Sequence, residues 1–287
     1  MKNNSSLSHR NQEPESGVCY VVGTPIGNLS DLSPRAMNIL ENVSFVACED
    51  TRQTKKIMSK FNISNYLISL NKHNSLTKLP KLLNDLKKGK SIAIVSDAGM
   101  PSICDPGEDV IKIFRSNGID VICIPGPCAA ITAIVSSGMP CSSFIFEGFL
   151  SKKKKERENT LLEISKSEKT TVLFESPHRL KKLLNELKEF CGEEREIMVF
   201  RELTKIYEEH IGHNINMALE FFEKTEVKGE ITIVIKGISK ANNSEIETSQ
   251  LKKELYELVK AGLSLSAASK YLAKKKNLPK NIIYNLY

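Results

Sequence analysis

Apolar residues in this chain fall into short continuous runs, each closed by a polar or glycine-rich turn and followed by a helical pattern. The clearest is Ile92-Ala93-Ile94-Val95, which breaks into Ser96-Asp97-Ala98-Gly99 before Pro106 opens the next helical stretch. Val121–Ile124 repeats the arrangement, running into Pro125-Gly126-Pro127-Cys128-Ala129-Ala130 and then a helix. Val18–Val22, Val43–Cys48 and Tyr66–Leu70 are further strand candidates. Apolar runs without alternation read as strands buried on both faces, as in a parallel sheet, and their regular exchange with helices predicts an α/β fold. In such sheets ligands bind beyond the carboxyl ends of the strands, which makes the turns after these runs the places to look for chemistry.

The break Gly138-Met139-Pro140 suits a domain boundary. Beyond it a second α/β unit begins with Phe144–Phe149 and continues through strand candidates Thr171–Phe174, Ile197–Phe200 and the alternating run Ile231–Ile235. Helices are expected at Thr160–Ser165 and, strongly amphipathic, around Leu180, Leu183, Leu184 and Leu187. After a polar linker at 241–248, Leu251, Leu255, Leu258 and Val259 share one helical face. Ala261-Gly262 interrupts, and Ala267, Ala268, Tyr271 and Leu272 line a second helix before a lysine-rich turn and a last short helix ending at Tyr287. The organisation expected is a polar, disordered tail over 1–16, α/β domains over 17–140 and 141–240, and a basic helical module over 248–287. Three helices with basic turns read as a helix-turn-helix; a dimerisation tail is the alternative.

Composition narrows the class. The 287 residues are 40% hydrophobic and 26% charged, ordinary for a globular protein. No apolar run approaches the roughly 18 residues of a membrane span, and the polar N-terminus lacks the apolar core of a signal peptide. Seven cysteines without C-x-x-C spacing fit reduced thiols in the cytosol better than disulfides or zinc. Residues 248–287 carry eight lysines against two glutamates, nearly all of the net charge of +7. A basic end on a near-neutral body suggests a polyanion partner, nucleic acid before membrane, although a solvated lysine-rich helix has the same composition.

Gly23-Thr24-Pro25-Ile26-Gly27-Asn28-Leu29 is glycine-rich but has neither G-x-G-x-x-G spacing nor a Gly-Lys-Ser/Thr ending, so it suits backbone approach to an uncharged nucleoside better than a phosphate cradle. Ser33 before Pro34 caps the helix that follows. Glu49-Asp50-Thr51-Arg52 is either a polar cluster facing the cleft or an N-cap for a helix running through Met58. Lys152, Lys153, Lys154, Lys155 and Arg157, on a loop before the helix at Thr160, can grip a phosphate backbone or simply be a solvated helix start. Acids and arginines also close later strands, in Glu175-Ser176-Pro177-His178-Arg179 and Arg201-Glu202-Leu203-Thr204-Lys205, and Lys228-Gly229-Glu230 introduces the last strand.

These segments together, GTPIGNLSDLSPRA, CEDTR, SDAGMPSICDPG, PGPCAAITA, FEGFLSKKKKER, FESPHR, RELTK and KGE, resemble the tetrapyrrole methylase superfamily, and within it the bacterial 16S ribosomal RNA cytidine 2′-O-methyltransferases. They run in the family's order from residue 23 to 230. Met100, Cys48, Ser151 and Asn71 depart from the pattern, the last replacing the first histidine of a His-x-His-Asn loop. The resemblance implies a two-domain, usually homodimeric, cytoplasmic α/β enzyme holding S-adenosylmethionine between its domains. By that likeness the cofactor touches Pro25, Asp97, Ala98, Gly99, Pro101, Cys128, Ala129 and Ala130, with Leu203, Gly229 and Glu230 closing over it. The reaction the resemblance implies is attack of a cytidine ribose 2′-oxygen in the decoding region of the small subunit on the sulfonium methyl. Glu49, Asp50 and Glu175 are candidates to take the proton. Arg52 and Arg201 are candidates to hold a phosphate, and Lys274, Lys275, Lys276 and Lys280 join the Lys152–Arg157 run as RNA contacts. A tetrapyrrole substrate is one rival on the same fold, and a non-catalytic RNA-binding or assembly protein on a degenerate methylase scaffold is the other.

Overall fold

The computed structural model describes residues 13–105, 107–238, 240–276 and 283–287, with side chains of 240–248 and 276 left aside. The first sheet comprises β1 (Cys19–Val22), β2 (Phe45–Cys48), β3 (Leu67–Ser69), β4 (Ile92–Val95) and β5 (Val121–Ile124), in the order β3-β2-β4-β1-β5. All its pairings are parallel. Side chains of β1, β2 and β4 are buried throughout, which explains why their sequences do not alternate. Tyr20, Val22, Val46 and Ala93 face a core shared with α1 (Pro34–Asn42) and α2 (Thr51–Lys60). Cys19, Phe45, Ala47 and Ile94 face the other, built on α3 (Ser75–Lys87) and α4 (Glu108–Ser116). Ser33 caps α1 by accepting from the Ala36 amide, and Asp50 caps α2 by accepting from the Arg52 amide.

α5 (Ala129–Ser137) leaves the first sheet and joins it to the second. Ala130, Ala133 and Ile134 pack on Val172, Phe200 and Val234 of the second sheet and on Ile26 of the first loop. Small residues on this face let helix and sheet approach closely, and Gly138 ends the helix in the left-handed region at φ 68°.

The second sheet contains β6 (Phe144–Phe149), β7 (Thr170–Glu175), β8 (Glu196–Arg201), β9 (Glu209–Asn214) and β10 (Ile231–Ile235), ordered β6-β7-β10-β8-β9. Only β6 and β7 pair in parallel; the other pairings are antiparallel. Helices α6 (Lys154–Lys166), α7 (Pro177–Cys191) and α8 (Ile215–Lys224) cover one face, where the leucine stripe of α7 meets Leu161, Leu173, Ile197 and Ile233. The edge strand β9 has no counterpart among the strands expected from sequence. Its residues Glu-His-Ile-Gly-His-Asn bury Ile211 and little else.

Other expectations need correcting. The helix expected at Thr160 starts at Lys154, so Lys154, Lys155 and Arg157 lie on its first turn rather than on a loop, and Lys152 and Lys153 precede it. Residues 13–16, assigned to a loose tail, are tied down: Glu13 pairs with Arg35 at 2.6 Å and Ser16 donates to the Gly89 carbonyl at 2.8 Å. Residues 1–12 and Pro106 lie outside the described residues. The linker expected at 241–248 is helical, because α9 (Lys240–Lys260) begins before it. α9 and α10 (Leu265–Lys276) close a small separate core of Leu251, Leu255, Ala268, Leu272 and Ile283.

Candidate active site

The turns after β1, β4 and β5 meet at the carboxyl edge of the first sheet, and two glycines allow it. A Cβ on Gly23 would stand 2.6 Å from the Gly126 Cα, and one on Gly126 would stand 2.7 Å from the Gly23 Cα. Thr24 and Gly99 exchange backbone hydrogen bonds of 2.9 and 3.1 Å, tying the first turn to the acidic turn after β4. Below this junction lies a cleft of about 360 Å³. One wall is Ile26, Ala98, Gly99, Met100, Ile103, Cys104, Asp105, Cys128 and Ala129; the other is Phe149, Phe174, Glu175, Ser176, Pro177, Gly229, Glu230, Ile231 and Thr232.

The structure therefore gathers seven sequence-expected residues on the cleft wall: Ala98, Gly99, Cys128, Ala129, Glu175, Gly229 and Glu230. Pro25, Asp97, Pro101, Ala130 and Leu203 stand behind or beside that wall. Ala130 and Leu203 are buried in the core under α5, and Asp97 turns outward so that its Oδ1 accepts the Asp50 amide at 3.0 Å. The loop after β8 folds onto the first turn, with the Asn28 amide donating to Thr204 Oγ1 at 3.1 Å. Glu202 anchors the segment before β10: its Oε1 accepts the Glu230 amide and Lys205 Nζ, both at 2.8 Å. Residues that sequence reasoning missed are chiefly apolar (Ile26, Ile103, Phe149, Phe174, Ile231), together with Cys104 and Asp105. Asp105 lay in plain view within SDAGMPSICDPG, but nothing in spacing separates it from a helix-capping acid.

Three carboxyls line the cleft, in three different settings. Glu175, almost wholly buried, accepts the Ser176 amide at 2.8 Å and lies 3.3 Å from Arg179 and 3.7 Å from Arg157. Glu230 pairs with Lys205 at 3.0 Å at the rim. Asp105 has no ion-pair partner among the described residues. Burial raises its pKa, the nearby Asp97 adds to this, and a hydrogen bond from Ser96 offsets part of it. The residues at the end of β2 lie beside the cleft and do not line it. Burial, and after it Asp97, Asp105 and Asp50, push Glu49 up. Arg52 grips Asp50 at 2.6 Å and holds it down to about 2, so that pair is committed to itself.

Several expected RNA contacts are otherwise engaged. Arg157 is buried, not exposed with the lysines before it, and pairs with Glu186 at 2.7 Å; its place in the sequence run hid a position on the inner face of α6. Arg201 pairs with Glu209 at 2.7 Å, Lys153 with Glu156 at 2.9 Å, Lys154 with Glu158 at 3.8 Å and Lys275 with Glu254 at 3.1 Å. Lys152, Lys155 and Lys274 are exposed. Lys280 and the Lys276 side chain lie outside the described residues. No cluster of His, Cys, Asp and Glu among the described residues can hold a metal, and no helix there is long and apolar enough to cross a membrane.

Comparison with known proteins places this geometry. The family Tetrapyrrole (Corrin/Porphyrin) Methylases matches residues 18–216. Ribosomal RNA small subunit methyltransferase I of Synechocystis sp. is 41% identical over 94% of this chain and 97% of its own. The protein of that name from Bacillus subtilis is 39% identical over 96% of each. Among solved structures, cobalt precorrin-4 methyltransferase superposes with a TM-score of 0.60 at 15% identity, over 77% of this chain and 95% of that one. Uroporphyrin-III C-methyl transferase of Thermus thermophilus, complexed with S-adenyl homocysteine, gives 0.55 at 16% identity, over 76% and 97%. The distant structures share the α/β fold, the relatives match along nearly the whole chain, and the chain belongs to the tetrapyrrole methylases, in the branch of the small-subunit ribosomal RNA methyltransferases I.

Proposed function

We propose that this chain is an S-adenosylmethionine-dependent methyltransferase of small-subunit ribosomal RNA, and that it methylates the 2′-oxygen of a cytidine ribose in the decoding region. The observation that carries the cofactor is the charge of the cleft. Its wall holds Asp105, Glu175 and Glu230, apolar side chains and exposed backbone, and, among the described residues, neither lysine nor arginine. Such a wall suits a sulfonium ligand without phosphates and does not suit a nucleotide polyphosphate. When bound, the cofactor supplies an activated methyl group. Around it, Ala98, Gly99, Cys128 and Ala129 would hold the nucleoside part from the first sheet, with Gly229 and Glu230 covering it from the second. Pro25, Asp97, Pro101, Ala130 and Leu203 would brace these segments from behind. The identity of the relatives as ribosomal RNA enzymes supports the substrate class.

Chain residues must orient the ribose hydroxyl and remove its proton; orientation supplies much of the acceleration when the leaving group is already good. Of the carboxyls weighed for the proton, Asp50 is held by Arg52 and Glu175 by two arginines. Asp105 fits the task better, being on the cleft wall, unpaired among the described residues and raised in pKa, with Glu49 behind it. The test is transfer from labelled S-adenosylmethionine to small subunits purified from cells lacking this protein, followed by digestion and mass spectrometry. One 2′-O-methylcytidine is expected. Cofactor binding without incorporation into RNA would turn the reading toward a tetrapyrrole acceptor.

A further inference from the structure

The functional reading leaves unused a basic trough along the outer face of α2. The helix, Thr-Arg-Gln-Thr-Lys-Lys-Ile-Met-Ser-Lys, buries Thr54 and Met58 and turns Arg52, Lys55, Lys56, Ser59 and Lys60 to solvent. It contains no acid. Lys55, Lys56 and Lys60 meet no carboxylate within ion-pair distance among the described residues. Some lysines on other helices do, Lys154, Lys182, Lys188 and Lys275 each having a glutamate partner, but on α2 three lysines stand together without one. An uncompensated cationic surface costs self-repulsion unless an anion is brought to it.

Its shape is equally specific. One depression of about 600 Å³ runs between Arg52, Lys55, Lys56, Ser59 and Lys60. A second, of about 460 Å³, shares Arg52, Lys55 and Ser59 and extends to Asn65 and Tyr66. Tyr66 is 71% exposed, so its ring is a free stacking surface at the far end. At the near end α2 starts from Asp50, whose amide is held by Asp97, the neighbour of cleft residue Ala98. The trough thus leads from an exposed aromatic ring, past a row of ammonium groups without carboxylate partners among the described residues, to the mouth of the cleft.

We infer that α2 and Tyr66 form the track on which single-stranded RNA lies as it enters the cleft, with Lys55, Lys56 and Lys60 on consecutive phosphates and a base stacked on Tyr66. This inference rests on the RNA-methylating reading and deepens it by assigning the entry surface. Phosphate neutralisation on single strands contributes a salt slope of roughly 0.7 per contact, and loss of a base stacked on an aromatic ring weakens binding by about tenfold. The triple variant Lys55→Gln, Lys56→Gln, Lys60→Gln should therefore flatten the salt dependence of RNA binding by about 2. Tyr66→Ala should raise the dissociation constant about tenfold at fixed salt.

Full-length protein would be titrated with the small-subunit RNA over a salt series, with S-adenosylmethionine affinity measured alongside. Weaker RNA binding with a flatter slope and unchanged cofactor affinity is expected. Unchanged RNA affinity and slope overturn the assignment. Ultraviolet cross-linking of the unaltered protein to its RNA gives a reading independent of any variant. Cross-linked peptides should include residues 51–66, and cross-links confined to 152–155 or to the tail overturn the track. Were the unaltered protein to bind no ribosomal RNA at all, the functional reading itself would fall, an outcome distinct from RNA binding that ignores α2.

Discussion

Asp105 and Glu49 are carboxyls whose surroundings disfavour the charged form, because burial and neighbouring acids raise both pKa values. Groups of this kind stabilise the fold fully below their unfolded pKa of about 4, and that contribution is lost as pH rises through the folded value. At neutral pH both therefore weaken the empty protein. Glu49→Gln should raise the melting temperature at pH 7, and the gain should vanish near pH 4, checked by calorimetry at both. Asp105→Asn should likewise stabilise, yet slow single-turnover methylation by about 10²–10⁴-fold with cofactor affinity nearly unchanged. The wild-type rate should rise with pH through the elevated Asp105 value and then level. A loss of activity through Glu175→Gln equal to that of Asp105→Asn, with stability intact, would move the role to Glu175. The backbone contact between Gly23 and Gly126 belongs to the same scale. Gly126→Ala should cost about 1–3 kcal/mol in urea unfolding and weaken cofactor binding, since the two turns must part.

Among the elements, β4 and β10 were legible because burial on both faces demands a mostly apolar sequence, and β5 and β6, only partly buried, were set off by the turns that bound them; all four match their expected bounds to the residue. β9 was not legible, since an edge strand needs one neighbour and one buried side chain, and Glu-His-Ile-Gly-His-Asn supplies little more. The site divides in the same way. Turns rich in glycine and acid announced themselves, while Ile26, Phe149 and Phe174 are indistinguishable in sequence from core. Arg157 was misread because a charge run conceals helical phase: exposed lysines precede it, and two positions after Lys155 the chain points inward. Phase also decides energetics. Arg157→Ala takes the guanidinium from Glu186 and leaves buried Glu175 with Arg179 alone, and should cost about 3–5 kcal/mol. Lys155→Ala, a neighbour in sequence, should stay within about 0.5 kcal/mol. Chemical denaturation of the pair measures the contrast.

At the level of the whole molecule, the cleft takes one wall from each sheet, and α5 packs between them. The C-terminal helices stand on a core of their own. Removing residues 240–287 should leave cofactor affinity within about twofold, while binding to small subunits weakens by about tenfold, one lost binding increment of roughly 1.4 kcal/mol. Isothermal titration with S-adenosylmethionine and filter binding with subunits separate the two effects. Loss of cofactor binding on truncation would show that the tail supports the cleft directly.

The mutual approach of Gly23 and Gly126 also says something about descent. Neither position can acquire a side chain while the other backbone stays where it is, and Met100 Sδ already crowds the same spot, 2.6 Å from where a Cβ on Gly23 would stand. A lineage cannot drift through one of these sites and repair the other later, because the first step already breaks the junction above the cleft. The two codons are inherited as a single character. Any descendant that abandons one glycine should be found to have rebuilt both turns together, and with them the ligand the cleft accepts.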